Sequence, residues 1–355
     1  MGKSIYINGI SAISAQTEEA IFSDNALEYS SNIFHAVPVD YREVIPPMAL
    51  RRMSAAIKMG LFSANNALAD ANETMPDAII TATGEGCKQD TEKFLEGLLD
   101  QNEALLSPTS FIQSTHNTVG GQIALSLNCT GYNVTYSQED ISLESAFLDA
   151  ILLLEEDPEI KNVLVGSVDE ISTKITSFSY LNNFLKNKEI KNLDLFDQAS
   201  EGTITSEGAF FFSVSAEKSS ISQVELLSVS TFQEKDISII PSKIQLFLKK
   251  NNSSLEVLDL VILGKNGDQI QDSIYEYLEK GLFQNTTTLA YKHLAGDFNT
   301  VTGFAMWLTC KIFKNNSVPE ILKLNSVASK DPELGLLYNL SQDNCTHSVI
   351  LLRKI

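Results

Sequence analysis

The stretch GYNVTYSQEDISLESAFLD, Gly131 to Asp149, changes period in its middle, alternating first as a strand does and then repeating as a helix does. The polar turn Ser137-Gln138-Glu139-Asp140 sits at that change. A strand that breaks sharply into a helix gathers backbone N–H groups and the positive end of the helix dipole, which stabilise an anion and suit a nucleophile. No cysteine lies in this turn, and no Ser–His machinery is evident beside it. Two local readings remain: a capping box with Ser137 as N-cap and Asp140 at the third helical position, or Glu139 and Asp140 as an acid–base pair. Adjacent carboxylates seldom aim at one bond, which favours the cap.

Four histidines could supply a base. His35 lies in a polar N-terminal segment and His347 in a terminal strand, neither near a Ser or Cys in a nucleophile-elbow context. His116, within Ser114-Thr115-His116-Asn117-Thr118, clusters with polar groups just before the helix that carries Gly120-Gly121; a structural hydrogen bond is its plainer role. Gly84-Glu85-Gly86 lacks the following Lys-Ser/Thr and third glycine of a phosphate loop, so it reads as a tight turn. Gly264-Lys265-Asn266-Gly267-Asp268 reads as a turn in which Asp268 caps a helix. Cys87, Cys129, Cys310 and Cys345 are far apart, with no CxxC pair and no histidine at ligand spacing, so neither a metal nor another cofactor is expected. They read as small hydrophobes in a reducing compartment.

These residues hang on alternating strand-like and helix-like runs, the pattern of a mainly parallel sheet covered by helices. Ser4–Ile10, Asp77–Thr83, Tyr132–Tyr136, Asn162–Val165 and Gly208–Ala216 read as strands. Met48–Ala71, Thr91–Leu99, Thr118–Leu127 and Leu143–Glu155 read as helices. From Ser222 the succession begins again: a strand, a helix around Lys243–Lys250, the strand Leu258–Gly264, the helices Asp268–Lys280 and Val301–Phe313, then β runs at Pro319–Leu324 and His347–Arg353. Halves 1–217 and 218–355 of similar order, joined by the short linker Glu217–Ser222, suggest a duplicated α/β unit packed as one body.

Composition narrows the partners. There are 45 acidic residues against 26 basic ones, net −19, which opposes nucleic acid and anionic membranes. No apolar run approaches the ~20 residues of a membrane span, and the N-terminus has no apolar core of a signal peptide. A cytoplasmic protein is expected. Met1-Gly2 begins like a myristoylation signal, but no polybasic run accompanies it.

Several strings carry a resemblance: IPPMALRRMSAAIKMG (Ile45–Gly60), DAIITATGEGCKQDTEKFL, PTSFIQSTHNTVGGQIALSLNCTGYNVTY (Pro108–Tyr136), Ser206–Ala209, Tyr291–Asp297 and Tyr338-Asn339. With their order, the chain resembles the β-ketoacyl-acyl-carrier-protein synthases, most closely the chain-length-factor-type ketosynthase homologues of bacterial polyene and aryl-polyene pigment pathways. That resemblance implies the thiolase fold, a duplicated α/β architecture of five layers, αβαβα.

In active members a Cys at the strand-to-helix turn takes an acyl chain from carrier protein, and two histidines of the second half assist decarboxylation and stabilise the oxyanion. By the resemblance, the nucleophile's place falls at Asp140, the first histidine's at Gly264 and the second's at Asp297, five residues after the family lysine, here Lys292. His293 stands four residues early. All three catalytic types are therefore missing, and Lys292 is expected to pair with Asp297, Asp268 or Asp140.

The resemblance thus implies a non-catalytic chain length factor that pairs with an active ketosynthase and shapes its acyl tunnel. The sheets would run on across the interface through Tyr132–Tyr136, with Thr115, His116, Asn117, Thr118, Gly120, Gly121 and Tyr136 on the tunnel or partner side. Acyl carrier protein would dock mainly on the partner, or locally around Arg42, Arg51, Arg52 and Lys58. Two alternatives stay open: a malonyl-carrier-protein decarboxylase using Gln138, and a homodimeric protein that binds acyl chains or carrier protein.

Overall fold

Apolar residues crowd strands such as Ala78–Ala82 and Gly208–Ser215 so densely that these must be buried on both faces. In the computed structural model, which describes residues 4–103, 106, 108–198, 200–327 and 331–355, ten strands form the framework. They are β1 (Ile5–Ile13), β2 (Ala78–Ala82), β3 (Tyr132–Tyr136), β4 (Asn162–Asp169), β5 (Gly208–Ser215), β6 (Val224–Gln233), β7 (Leu260–Leu263), β8 (Thr287–Ala290), β9 (Leu334–Leu340) and β10 (Thr346–Lys354). Met1-Gly2, where the acylation motif falls, lies outside the described residues.

The strand order is β3-β2-β4-β5-β1-β6-β10-β9-β7-β8, which reads the same from either end once β1 to β5 are matched with β6 to β10. The two sets meet only where Ile5–Ile7 pairs antiparallel with Val224–Leu226. Within each set two neighbouring pairs are parallel and two antiparallel, so that only β5 in the first and β10 in the second run against the other four strands.

Eight helices do the covering: α1 (Ala55–Asp70), α2 (Lys88–Asp100), α3 (Pro108–Gln113), α4 (Thr118–Leu127), α5 (Ser142–Glu156), α6 (Ile240–Lys250), α7 (Gln269–Lys280) and α8 (Thr302–Asn315). Neighbouring residues of one strand enter different cores, because side chains alternate across a sheet. Ile79 and Phe211 pack on α1 and α4, whereas Ile80 and Phe212 pack on α5 and α8. In the second set Ile262 faces α5 and α8, and Val261 faces α6 and α7. The outcome is five layers: α1 and α4, a sheet, α5 and α8, a sheet, α6 and α7.

Three elements differ from the sequence expectation. The helix expected over Met48–Ala71 is broken into Pro47–Leu50 and α1, because the buried Glu170 carboxylate accepts from Ala56 N at 2.7 Å and fixes a fresh N-terminus there. Pro319–Leu324 is a 3-10 turn over Glu320–Leu322, joined to the sheet by the single Lys323–Leu289 bridge; proline lacks the N–H that a strand would use. β4 runs on through Gly166 to Asp169, with the Phe211 ring lying where any β-carbon at 166 would sit, 2.1 Å away.

Candidate functional site

Parallel strands in open sheets place functional groups at their C-terminal ends. Here β2, β3 and β4 end level, with Ala82 beside Tyr136 and Ser167, and β7, β8 and β9 do the same, with Leu263 beside Ala290 and Tyr338. The segments that follow five of these ends, those of β2, β3, β4, β8 and β9, line a cleft of about 620 Å³.

Ser137–Asp140 is the turn leaving β3. It is not the capping box expected: Ser137 Oγ donates to Gly84 O at 3.2 Å, and a 3-10 turn over Glu139–Ile141 precedes α5. Ser142 organises the turn instead, its hydroxyl accepting from Gln138 N at 2.8 Å and donating to Glu139 O at 2.6 Å. Tertiary contacts to Thr83 and Gly84 outbid the local cap. Glu139 adopts φ 51°, a left-handed conformation that a non-glycine residue holds only when its surroundings enforce it.

Asp140 follows and turns inward, 9% exposed. Its Oδ1 accepts from Asn299 Nδ2 at 2.8 Å and its Oδ2 from the Gln342 backbone N–H at 2.7 Å. Burial pushes its carboxyl up to about 6, and the charge of Asp297 adds to that. Gln138 lies outside the cleft, exposed, with its side chain held by Ser145 along α5.

From the second set comes Lys292, which pairs with Asp297 at 2.7 Å, both side chains almost fully buried. Asp297 also accepts from Asn266 Nδ2 at 2.8 Å. The turn after β7 is closed around Gly264: a β-carbon there would meet Asn339 Oδ1 at 2.1 Å and Tyr275 Oη at 2.7 Å. Gly267, at φ 80°, completes that turn, and Asp268 caps α7 by accepting from Ile270 N and Gln271 N, as expected. Gly84–Gly86 is likewise a tight turn, its Gly84 N–H held by Asp169 Oδ1 at 2.9 Å.

No thiol or imidazole lines this cleft among the described residues. Cys87 and Cys310 are buried, and burial pushes both thiols up. His293 is buried and bonded to Ile321 O at 3.1 Å, and burial holds it down at about 4. His347 bonds Tyr338 Oη at 2.8 Å, and His35 bonds Glu207 at 2.8 Å. Among the described residues no cluster of three metal-ligating side chains occurs, and no helix is long and apolar enough to cross a membrane.

His116, Thr115 and Asn117 lie elsewhere, on the exposed approach to α4. Thr115 and Thr118 share a hydroxyl contact at 3.0 Å, and Gly120 presses on β2 and β3, its place for a β-carbon 2.8 Å from Thr81 Oγ1. Gly121 faces open space. β3, with Tyr136 half-buried, is the edge of the sheet and hydrogen-bonds only β2. Beside it Phe111, Ile112 and Leu125 are 57%, 63% and 73% exposed. Arg42 is paired with Asp40, which leaves Arg51 and Arg52 as the exposed cations of that basic group.

Sequence reasoning gave no role to Asn299, Gln342, Tyr291 or Glu144, although Tyr291 opens the string that ends at Asp297 and Asn299 lies two residues beyond it.

Residues 29–177 match the family model of the β-ketoacyl synthase N-terminal domain. No curated protein matches the chain by sequence. Among solved structures, the ishigamide ketosynthase/chain length factor is similar over 100% of both chains, at TM-score 0.82 and 15% identity. A ketosynthase in complex with its chain length factor from Xenorhabdus doucetiae is similar over 99% of this chain and 98% of that one, at 0.76 and 14%. A type II polyketide synthase ketosynthase bound to its acyl-carrier protein is similar over 100% of both chains, at 0.81 and 12%. At such identities the likeness establishes the fold, which is the thiolase fold of ketosynthases and chain length factors.

Proposed function

We propose, for a chain that carries a β-ketoacyl synthase N-terminal domain within a thiolase fold, that it is a non-catalytic, chain-length-factor-type subunit. It would pair in the cytoplasm with an active ketosynthase of a polyene-type pathway and shape that partner's acyl tunnel. The observation that carries this reading is the occupant of the turn before α5. A buried carboxylate, tied down by Asn299 and Gln342, fills the place from which a thiolate would attack. An acyl anhydride formed there would be hydrolytically labile, and the anion opposes a malonyl group.

The other two places support the same reading. Asp297 is committed to Lys292, and the turn at Gly264 has no room for a β-carbon, so neither position offers an oxyanion donor. The open edge of β3, flanked by Phe111, Ile112 and Leu125, is the surface on which a second subunit would continue the sheet. The division into halves 1–217 and 218–355 belongs to this proposal too, since each half would end in its own set of parallel strand ends.

Co-expression with candidate active ketosynthases from the same source, followed by sizing, tests the reading. A stoichiometric complex is expected. A chain that remains apart from every ketosynthase offered would overturn it.

A further inference from the structure

The seam between the two sets leaves part of one strand open. β6 pairs with β1 only as far as Leu226; beyond it, from Leu227 to Gln233, no strand lies on that side among the described residues, while β10 pairs with Ser228–Gln233 on the other. The register against β10 slips by one residue at Leu227, and a bulge of this kind bends a strand and strengthens its twist, which carries the rest of β6 away from β1. An open edge offers a row of unpaired N–H and C=O groups. Leu227–Gln233, LSVSTFQ, has neither the charge nor the proline with which edges are commonly blunted.

A groove of about 640 Å³ runs along this edge, lined by Leu227–Ser230 together with Ile151 and Leu152 of α5 and Phe247 and Lys250 of α6. Leu152 is 54% exposed, a large apolar side chain turned towards water. Of the lysines of α6, Lys243 pairs with Glu234 at 3.0 Å, whereas Lys249 and Lys250, in the last turn, have no acidic side chain within ion-pair reach among the described residues. In a chain with 45 acidic residues and 26 basic ones, two unneutralised cations beside an apolar groove favour an acidic ligand. The strand edge decides what kind of ligand that is. An alkyl chain would fill the groove but leave the backbone groups without partners; an extended peptide satisfies them as an added strand and sends alternate side chains into the groove.

We propose that the open edge of β6 is a docking site for an extended, acidic peptide segment of a partner protein. The segment adds to β6 as a further strand, its alternate apolar side chains lying against Leu152 and Phe247 and a carboxylate meeting Lys250. β6 stands five strands away from β3 in the sheet order, so loss of this site leaves pairing at β3 untouched, and the reverse holds as well.

The test is fluorescence anisotropy of a labelled peptide, in which threonine and valine alternate and two glutamates close the sequence, titrated with the purified chain. Saturable binding is expected, weakened by about tenfold or more in Leu152→Asp and in Lys250→Glu. Both are surface residues, so both variants should fold as the parent does. Leu246→Asp, at an exposed residue of α6 outside the groove, should bind as the parent does. The same peptide with its backbone nitrogens methylated should lose binding, since its side chains remain but its strand donors are gone. No saturable binding at any attainable concentration of the chain, binding that survives methylation, or equal weakening in Leu246→Asp would overturn the proposal. Dodecanoate displacing the peptide more effectively than unlabelled peptide does would overturn it in favour of a lipid, and a homodimer that Leu152→Asp dissolves would overturn it in favour of a second copy of this chain.

Discussion

Four carboxyl groups hold their protons to unusually high pH: Glu144 and Glu170 are pushed up to about 7, Asp140 and Asp272 to about 6, burial being the largest cause in each. Between their ordinary values and these raised ones the folded chain binds more protons than the unfolded chain. Stability from these groups is therefore greatest in mild acid and falls as pH rises through that window. Glu144, 0% exposed with Oε2 unpartnered, is the clearest case. Glu144→Gln should raise the melting temperature at about pH 8 and leave it near the parent's at about pH 5. A second expectation concerns restored catalysis. The triple variant Asp140→Cys, Gly264→His, Asp297→His should give no condensation product with acyl- and malonyl-carrier protein. Position 264 has no space, and Lys292 without Asp297 becomes a buried unpaired charge, costing about 3–5 kcal/mol. Melting curves and a product assay check both halves of that statement. The sequence placed Asp140, Lys292 and Asp297 together because a family pattern runs through all three. Gln342 could not be read this way, since it acts through its backbone N–H, and that group exists in every non-proline residue.

Among elements, α4 separates two glycines that look alike in sequence. Gly120→Ala would drive a methyl into Thr81 Oγ1 at 2.8 Å, and overpacking of this kind costs about 1–3 kcal/mol. Gly121→Ala has nothing within 4 Å and should be neutral or slightly stabilising, alanine being the better helix former. Urea unfolding of the two variants tests the contrast. Leu125→Glu, at a residue 73% exposed, should leave stability unchanged yet abolish co-purification with the proposed ketosynthase partner. Long periodic segments such as α4 and β3 were legible to the residue, because apolar spacing alone defines them. β8 and β9 were not: TTLA is four residues long, and LGLLYNL offers no alternation, being buried on both faces. The break at Arg51–Ser54 was invisible because its cause, Glu170, is more than a hundred residues away.

For the whole molecule the governing quantity is the net charge of −19. If the proposed ketosynthase partner is the less acidic of the two, association should be fastest at low salt and slow as ionic strength rises, with a smaller change in dissociation. Stopped-flow mixing at several salt concentrations measures this. Carrier protein, itself acidic, should cross-link chiefly to the partner subunit. The mirrored strand order also sets a timetable. β1 lies at the seam between the two sets, and Tyr6 finds its neighbour at Ser215, roughly 200 residues later. At ribosomal speeds of about 5–20 residues per second, the apolar strand IYINGISAI waits on the order of 10–40 s before β5 exists. During that interval it is a sticky, uncovered ribbon. Production of this protein is thus sensitive to the pace of translation and to chaperone supply, and slowing synthesis between Ser14 and Glu207 should send more of it into aggregates.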